Sequence, residues 1–260
     1  STLDANTTGG SNVAIGNNAL GANTTGSNNI AIGSAALDAN TTGGDAGGSV
    51  AIGSGSLGAQ TTASNNLAIG QSSAAAITTG VSNVAIGNWS LDATTTGTWN
   101  IALGQNALTA NTTASNNVAI GGGTMAANTT GSQNVAVGNA SLDANTTGAN
   151  NVAVGQNALS ANTTAGSNVA MGINAMLVNT TGGSNTAVGA FALDANVDGA
   201  GNTALGQNTL TANTSASNNT AVGYGSLAAN TTATGNVAVG VSALAANTTG
   251  ASNTAIGAAA

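Results

Sequence analysis

The stretch Asn-Val-Ala-Ile-Gly at residues 12–16 decides the fold, because it returns along the whole chain at a nearly constant interval. Its closing glycine recurs fifteen times, and every interval is 17 residues except one of 20 between Gly33 and Gly53. Helical-hairpin repeats need roughly 33 to 47 residues, so this period is too short for them. The sequence is therefore interpreted as a single repeat array over residues 1–260. A three-residue insertion within residues 43–49 is expected to bulge outward as a loop.

One repeat predicts one coil of a parallel β-solenoid. The run from Val13 to Ile15 alternates in the way of a short strand, and Gly16 supplies the turn after it. A second short strand is predicted around Leu20, followed by a turn at Thr-Thr-Gly. Coils stacked in register at about 4.8 Å would extend roughly 70 Å. We therefore expect an all-β fold, a parallel β-solenoid (β-roll) with 17 residues per coil and about 15 coils.

Equivalent positions of stacked coils form columns of like side chains. The asparagine four residues before the glycine recurs in every copy but one, where Ser49 stands, which predicts an amide ladder along the axis. The apolar columns of Ile15 and Leu20 are expected to face inward. Alanine occupies the column of Ala14 in all fifteen copies, and a small residue there indicates close approach of another sheet or chain. The predicted ladder and core positions of the first coil are Asn12, Ala14, Ile15, Gly16, Leu20 and Ala22.

Composition excludes several classes of function. The 260 residues include no Lys, Arg, His, Cys, Glu or Pro, and all seven formal charges are aspartates. Without cations the chain cannot neutralise phosphates, so we expect no nucleic-acid binding, and no apolar run is long enough for membrane insertion. Without imidazole, thiol or amine groups, no catalytic residue, cofactor site or metal site is predicted. A repeated calcium site is rejected because Asp45 and Asp198 are isolated.

The remaining aspartates are spread out along the array. Asp92, Asp143 and Asp194 are 51 residues apart, which is every third coil. That spacing separates like charges by about 14 Å, more than the Debye length at physiological salt.

Eleven Asn-Thr-Thr or Asn-Thr-Ser sequons occur, among them Asn6, Asn23 and Asn111. They match the acceptor motif for N-glycosylation. The alternative is that ladders and turns favour asparagine and threonine, and this is the preferred interpretation because Gln60, Ile77 and Thr94 replace the asparagine without disturbing the repeat.

The threonine columns suggest a second hypothesis, ice binding. A flat, uncharged and regular threonine face on a rigid solenoid could order water. Thr7, Thr24 and Thr41 form the candidate exposed column. The alternative is that threonine is simply a good strand and turn residue.

The repeat resembles known fibre proteins. Asn-Val-Ala-Ile-Gly followed by a small-residue segment resembles the head repeats of YadA-like trimeric autotransporter adhesins, and residues 151–164 resemble arrays in bacterial surface and phage tail-fibre proteins. The resemblance covers essentially the whole chain, although the 17-residue period is longer than that of the adhesin heads. It implies a left-handed β-roll, commonly of three chains, displayed outside the cell.

These observations predict a structural extracellular fibre or filament protein, with the ice-binding solenoid as the alternative. We expect self-association, as a homotrimer, a head-to-tail filament, or both. The filament is expected because Leu3 already occupies the leucine column and both ends of the sequence are nearly in phase with the repeat. The aromatic residues Trp89, Trp99, Phe191 and Tyr224 are interpreted as local packing at a surface or interface.

Overall fold

The computed structural model describes residues 2–41 and 48–260, and these ranges contain short parallel strands and no helix. The predicted parallel β-solenoid with a 17-residue period is confirmed. The chain divides into two compact units, residues 1–132 and 133–260, built from the same coil. The insertion predicted to bulge outward lies almost wholly outside the described residues.

Each coil contributes one strand of three residues. The strands of the first unit are β1 (Val13–Ile15), β2 (Ile30–Ile32), β3 (Val50–Ile52), β4 (Leu67–Ile69), β5 (Val84–Ile86), β6 (Ile101–Leu103) and β7 (Val118–Ile120). Those of the second are β8 (Val135–Val137), β9 (Val152–Val154), β10 (Val169–Met171), β11 (Thr186–Val188), β12 (Thr203–Leu205), β13 (Thr220–Val222), β14 (Val237–Val239) and β15 (Thr254–Ile256).

Within each unit the strands pair in parallel and in sequence order. Ala153 of β9 lies opposite Ala170 of β10, which lies opposite Ala187 of β11. The shift from one strand to the next is therefore one repeat. Because the period and the register coincide, each sequence position forms a column that runs through the unit.

The second predicted strand is wrong. The segment after each glycine is a series of turns, in which Asn157 and Leu159 have φ of 55° and 57°. A left-handed leucine is unfavourable, because its Cβ approaches the following carbonyl. The segment is nevertheless bonded between coils: the amide of Leu159 donates to the carbonyl of Ala175 at 3.0 Å, and that of Ala161 to Leu177 at 3.1 Å.

The glycine that ends each strand is required by its backbone. Gly155 has φ of 130°, a conformation that residues with a Cβ rarely adopt. A Cβ built there would lie 2.5 Å from the carbonyl oxygen of Gly172 in the next coil. The predicted role of Gly16 as a turn residue therefore agrees with its φ of 128°.

The side of the strand that faces the interior differs from the prediction. The middle alanine is buried, as at Ala31 and Ala153, whereas Ile15 is 58% exposed and Leu205 is 46% exposed. The column of Ile15 thus faces outward, and the column of Ala14 lines the interior of its own coil instead of contacting another chain. The column of Leu20 is buried as predicted, and Ala22 is only partly buried.

The interior of a coil is small and half polar. In one coil of the second unit, the fully buried side chains are Ala153, Ala158, Leu159, Asn162 and Asn168. A single leucine per coil provides little apolar area, so hydrogen bonds between coils must carry much of the cohesion.

Candidate interaction surfaces

The asparagine column before the strands forms the predicted ladder. The Oδ1 of Asn151 accepts a bond from the backbone amide of Asn168 in the next coil at 3.0 Å. Its Nδ2 donates to the carbonyl of Ala165 at 2.9 Å. Asn12 makes the corresponding bonds to Asn29 and Gly26, at 2.9 and 2.7 Å. Each amide in this column therefore connects two coils.

A second buried ladder, seven residues after the glycine, was not predicted. The Nδ2 of Asn162 donates to the Oδ1 of Asn145 in the preceding coil at 2.9 Å and to the carbonyl of Ala165 at 3.0 Å. The sequence signal for this ladder is the column of Asn-Thr-Thr sequons, which indicates glycosylation or a general preference for asparagine equally well.

This ladder contains the sequon residues Asn23 and Asn111, whose side chains are fully buried. The Nδ2 of Asn23, the atom that would carry a glycan, donates to the Oδ1 of Asn6 at 3.0 Å and to the carbonyl of Gly26 at 3.1 Å. The Nδ2 of Asn6 donates to Gly9 at 2.9 Å. A folded coil has no space for a glycan at a fully buried amide.

Replacements in the second ladder are matched only in part by changes around them, because the buried Oδ1 of Asn40, in the coil before Gln60, has no hydrogen-bond partner. Gln60 stands in the coil where serine replaces the first-ladder asparagine, and its Nε2 donates to the Oγ of Ser49 at 3.2 Å. Its Oε1 accepts from the Nδ2 of Asn66 at 3.0 Å. On the other side of Ile77, the Oγ1 of Thr94 donates to the carbonyl of Asn111 at 2.9 Å. The apolar Ile77 therefore lies between residues whose polar atoms are bonded elsewhere.

The threonine columns are distinguished by exposure. In the column of Thr7, Thr24 and Thr41, hydroxyls donate along the axis to backbone carbonyls, as Thr7 does to Thr24 at 2.9 Å. The following threonine of each coil, such as Thr79, Thr96 or Thr113, is exposed. In the predicted column Thr7 and Thr41 are exposed and Thr24 is partly buried, so both columns reach water, the second one more uniformly.

A regular apolar surface lies on the outer face of the strands. We call the first and third residues of the strands of one unit its outer ribbon. In the first unit these residues are all Val, Ile or Leu, and none in either unit is charged. Ile86 and Ile101 are both 37% exposed, and their strands are adjacent. Trp99, 63% exposed, precedes β6 by two residues, and Trp89, 38% exposed, follows β5 by three.

The described aspartates Asp38, Asp92, Asp143 and Asp194 lie in the turn segment, away from the ribbon positions. One carboxylate oxygen (Oδ1) each of Asp92, Asp143 and Asp194 is buried without a hydrogen-bond partner. Desolvation by this partial burial raises the pKa of all three carboxyls above the usual 3.8.

No family model matches the chain, and neither does any curated protein or solved structure. Among the described residues, no group of three or more potential ligand side chains could hold a metal ion. The same residues include no helix that is long and apolar enough to cross a membrane.

Proposed function

We propose that this chain is a structural segment of an extracellular fibre, such as a surface appendage or an adhesin-type shaft, and that it is not an enzyme. The observation that supports this proposal is the pair of buried asparagine ladders, which bond neighbouring coils to one another through side chains within each unit. Such an arrangement stabilises stacking along one direction and can be extended by adding repeats. The resemblance to adhesin and tail-fibre repeats supports the extracellular location.

Self-association belongs to the same proposal, as a homotrimer, a head-to-tail filament, or both. Fibre diffraction from oriented samples of the purified chain tests the structural role. The coil stacking predicts a meridional reflection at about 4.8 Å, and electron microscopy should show elongated particles. Compact particles without this reflection would contradict the proposal.

The exposed threonine column supports ice binding as a second candidate. Thr79, Thr96 and Thr113 repeat at one coil spacing and carry no charge. If this column binds ice, the chain should show thermal hysteresis, and replacing these three threonines by lysine should abolish it. Equal freezing and melting points for the unmodified chain would exclude this candidate.

A further inference from the structure

We propose that two turns of this chain, one in each unit, each bind an arginine side chain of a basic polypeptide. Each turn has an aromatic residue three positions before an aspartate: Trp89 and Asp92 in the first unit, and Phe191 and Asp194 in the second. We call these the aromatic–aspartate turns. Binding there does not depend on the proposed fibre role, because each site lies within one unit and would be present in a single chain.

The backbone holds the two residues of each turn near one another. Residues 88–93 and 190–195 form the turn segments that follow β5 and β11. In the equivalent turn of another coil, the amide of Gly58 donates to the carbonyl of Gly55, three residues earlier, at 3.3 Å. The Cα atoms at the two ends of such a turn lie within about 7 Å of each other. One ligand group is therefore close to both the aromatic residue and the aspartate.

The side chains of both turns are accessible from solvent. Trp89 is 38% exposed and Phe191 is 37% exposed. Asp92 and Asp194 are partly exposed. An accessible ring beside a carboxylate is thus present twice, once in each unit.

The other aromatic residues do not have this arrangement. The chain contains two tryptophans, one tyrosine and one phenylalanine. Trp99 is 63% exposed and Tyr224 is 53% exposed, but the residues three positions later are Ala102 and Leu227. These two exposed rings therefore serve as comparisons that lack the carboxylate.

An aromatic ring beside a carboxylate suits a guanidinium group. The guanidinium of arginine is planar and always charged, it stacks on aromatic faces, and it forms paired hydrogen bonds with a carboxylate. The ammonium group of lysine carries the same charge but has no plane to stack. A single arginine can therefore use both groups of a turn, whereas a neutral or anionic ligand would gain nothing from the aspartate.

The charge of the chain indicates that the arginine belongs to a different molecule. The net charge is −7 and the sequence has no Lys, Arg or His, so neither the chain nor a second copy of it supplies a cationic side chain. Charge of one sign attracts a basic partner from solution and repels an acidic one. The occupant is therefore a basic polypeptide and not another copy of this chain.

The chain contains natural versions of both turns without the ring. Trp89→Ala reproduces the Ala-Ser-Leu-Asp sequence of residues 140–143, and Phe191→Ala reproduces the Ala-Ala-Leu-Asp sequence of residues 35–38. The φ of Ala140 is 51° and that of Trp89 is 57°, so alanine already occupies this conformation in the fold. We therefore expect the double alanine variant to fold, and circular dichroism checks this.

The aspartates provide a matched pair of variants with equal net charge. Asp92→Asn with Asp194→Asn removes the carboxylates of the two aromatic–aspartate turns. Asp38→Asn with Asp143→Asn removes the same charge from turns in which alanine stands at the aromatic position. A difference in binding between these two variants therefore reports on the site and not on the overall charge.

The probe is a fluorescein-labelled hexa-arginine peptide, and fluorescence anisotropy measures its binding to the full chain at about 0.05 M ionic strength, where screening is weak. We expect the double alanine variant to bind about two- to fivefold more weakly, as the loss of an exposed cation–π contact implies. The Asp92 and Asp194 variant should bind about twofold more weakly than the Asp38 and Asp143 variant. Trp99→Asn, which copies Asn116 of the next coil, should leave the affinity unchanged.

Three results would overturn the proposal. The first is a peptide that does not bind up to about 1 mM, or that binds the unmodified chain and the double alanine variant equally. The second is equal weakening by the two asparagine variants, because the attraction would then be diffuse. The third is a hexalysine peptide that binds as tightly, because the ring would then not select arginine. None of these results would bear on the proposed fibre role, which fibre diffraction tests separately.

Discussion

Replacing Asn179 by alanine should destabilise the second unit by about 2–6 kcal/mol. Asn179 is fully buried in the second ladder. Its Nδ2 donates to the Oδ1 of Asn162 at 3.3 Å and to the carbonyl of Gly182 at 2.9 Å. Its Oδ1 accepts from the Nδ2 of Asn196 at 2.7 Å.

The magnitude follows from which partners are left unpaired. The carbonyl of Gly182 keeps a bond from the Nδ2 of Asn168 at 3.0 Å, so it stays satisfied. The Oδ1 of Asn162 loses the bond from Asn179, and the Nδ2 of Asn196 keeps only its bond to Gly199 at 2.9 Å. Two buried polar groups, at about 1–3 kcal/mol each, give the predicted range.

The chain itself provides a compensated version of this change. Transferring the arrangement around Ile77 requires Asn151→Ser, Asn162→Gln, Asn179→Ile and Asn196→Thr, which copy Ser49, Gln60, Ile77 and Thr94. We expect Asn179→Ile alone to cost more than the fourfold variant, because the added side chains give new partners to the groups beside the new isoleucine, although the Oδ1 of Asn145 should be left unpaired as that of Asn40 is. Such strong non-additivity is expected for residues in one network.

Urea denaturation followed by circular dichroism measures these differences, with the exposed Thr181→Ala as the control. Hydrogen exchange of peptides around residue 179 shows whether the loss is local, as expected where each coil contacts only its neighbours. A cost for Asn179→Ala within about 0.5 kcal/mol of the control would refute the assignment of stability to the ladder.

Three further predictions concern the backbone and the charges. Gly172→Ala should prevent normal stacking, because φ at Gly172 is 139° and the new Cβ would lie 2.6 Å from the backbone of Gly189. As a control, Gly123→Ala places a Cβ with no atom within 4 Å, so urea denaturation should show a loss of only about 1 kcal/mol. Ala140→Gly should raise the free energy of unfolding by about 0.5–1 kcal/mol, because it relieves the strain of a residue with φ of 51°. Ala149→Gly, at a position where φ is not positive, should lower it. Equal effects of the two changes on stability would contradict the strain argument. For the carboxyls, the raised pKa means that the folded state binds protons more tightly, so stability should be greatest below the usual 3.8 and fall as pH rises through the folded pKa values. Replacing Asp92, Asp143 and Asp194 by asparagine should remove that decline, and a variant with the pH profile of the unmodified chain would argue against it.

The sequence predicts the coil, its period and the first ladder because each depends on a pattern that repeats. It does not predict which face of the strand is inside, because isoleucine is more apolar than alanine and would ordinarily be placed in the core. The informative signal is variability: the column of Ala14 never changes, whereas that of Ile15 accepts Val, Leu and Met. A tightly packed position tolerates no added methylene, and an outward one does.

The turn segment was mispredicted for a different reason. Leu159 has φ of 57°, a conformation that local propensity disfavours for leucine, so no sequence rule assigns it there. Stacking of the coils imposes this conformation. It lets the amide of Leu159 donate to the carbonyl of Ala175 in the next coil, and it places the leucine side chain in the interior. The second ladder was missed because an asparagine followed by two threonines looks like a surface motif, whereas its amide is turned inward.

The two ladders also account for the composition of the chain. In an isolated coil the Nδ2 of Asn162 would lack its acceptor, because that acceptor is the Oδ1 of Asn145 in the preceding coil. Buried amides therefore stabilise the fold only when neighbouring coils are present, and each added coil satisfies the one before it. A charged side chain in such a column would face its own copy at about 4.8 Å in a desolvated interior, where no counter-charge exists in this cation-free sequence. Neutral amides can stack at that distance because each one both donates and accepts. The near absence of charge thus follows from the way the coils are joined, and aspartate remains only in the turn segment or at isolated positions, where copies in one column are at least two coils apart.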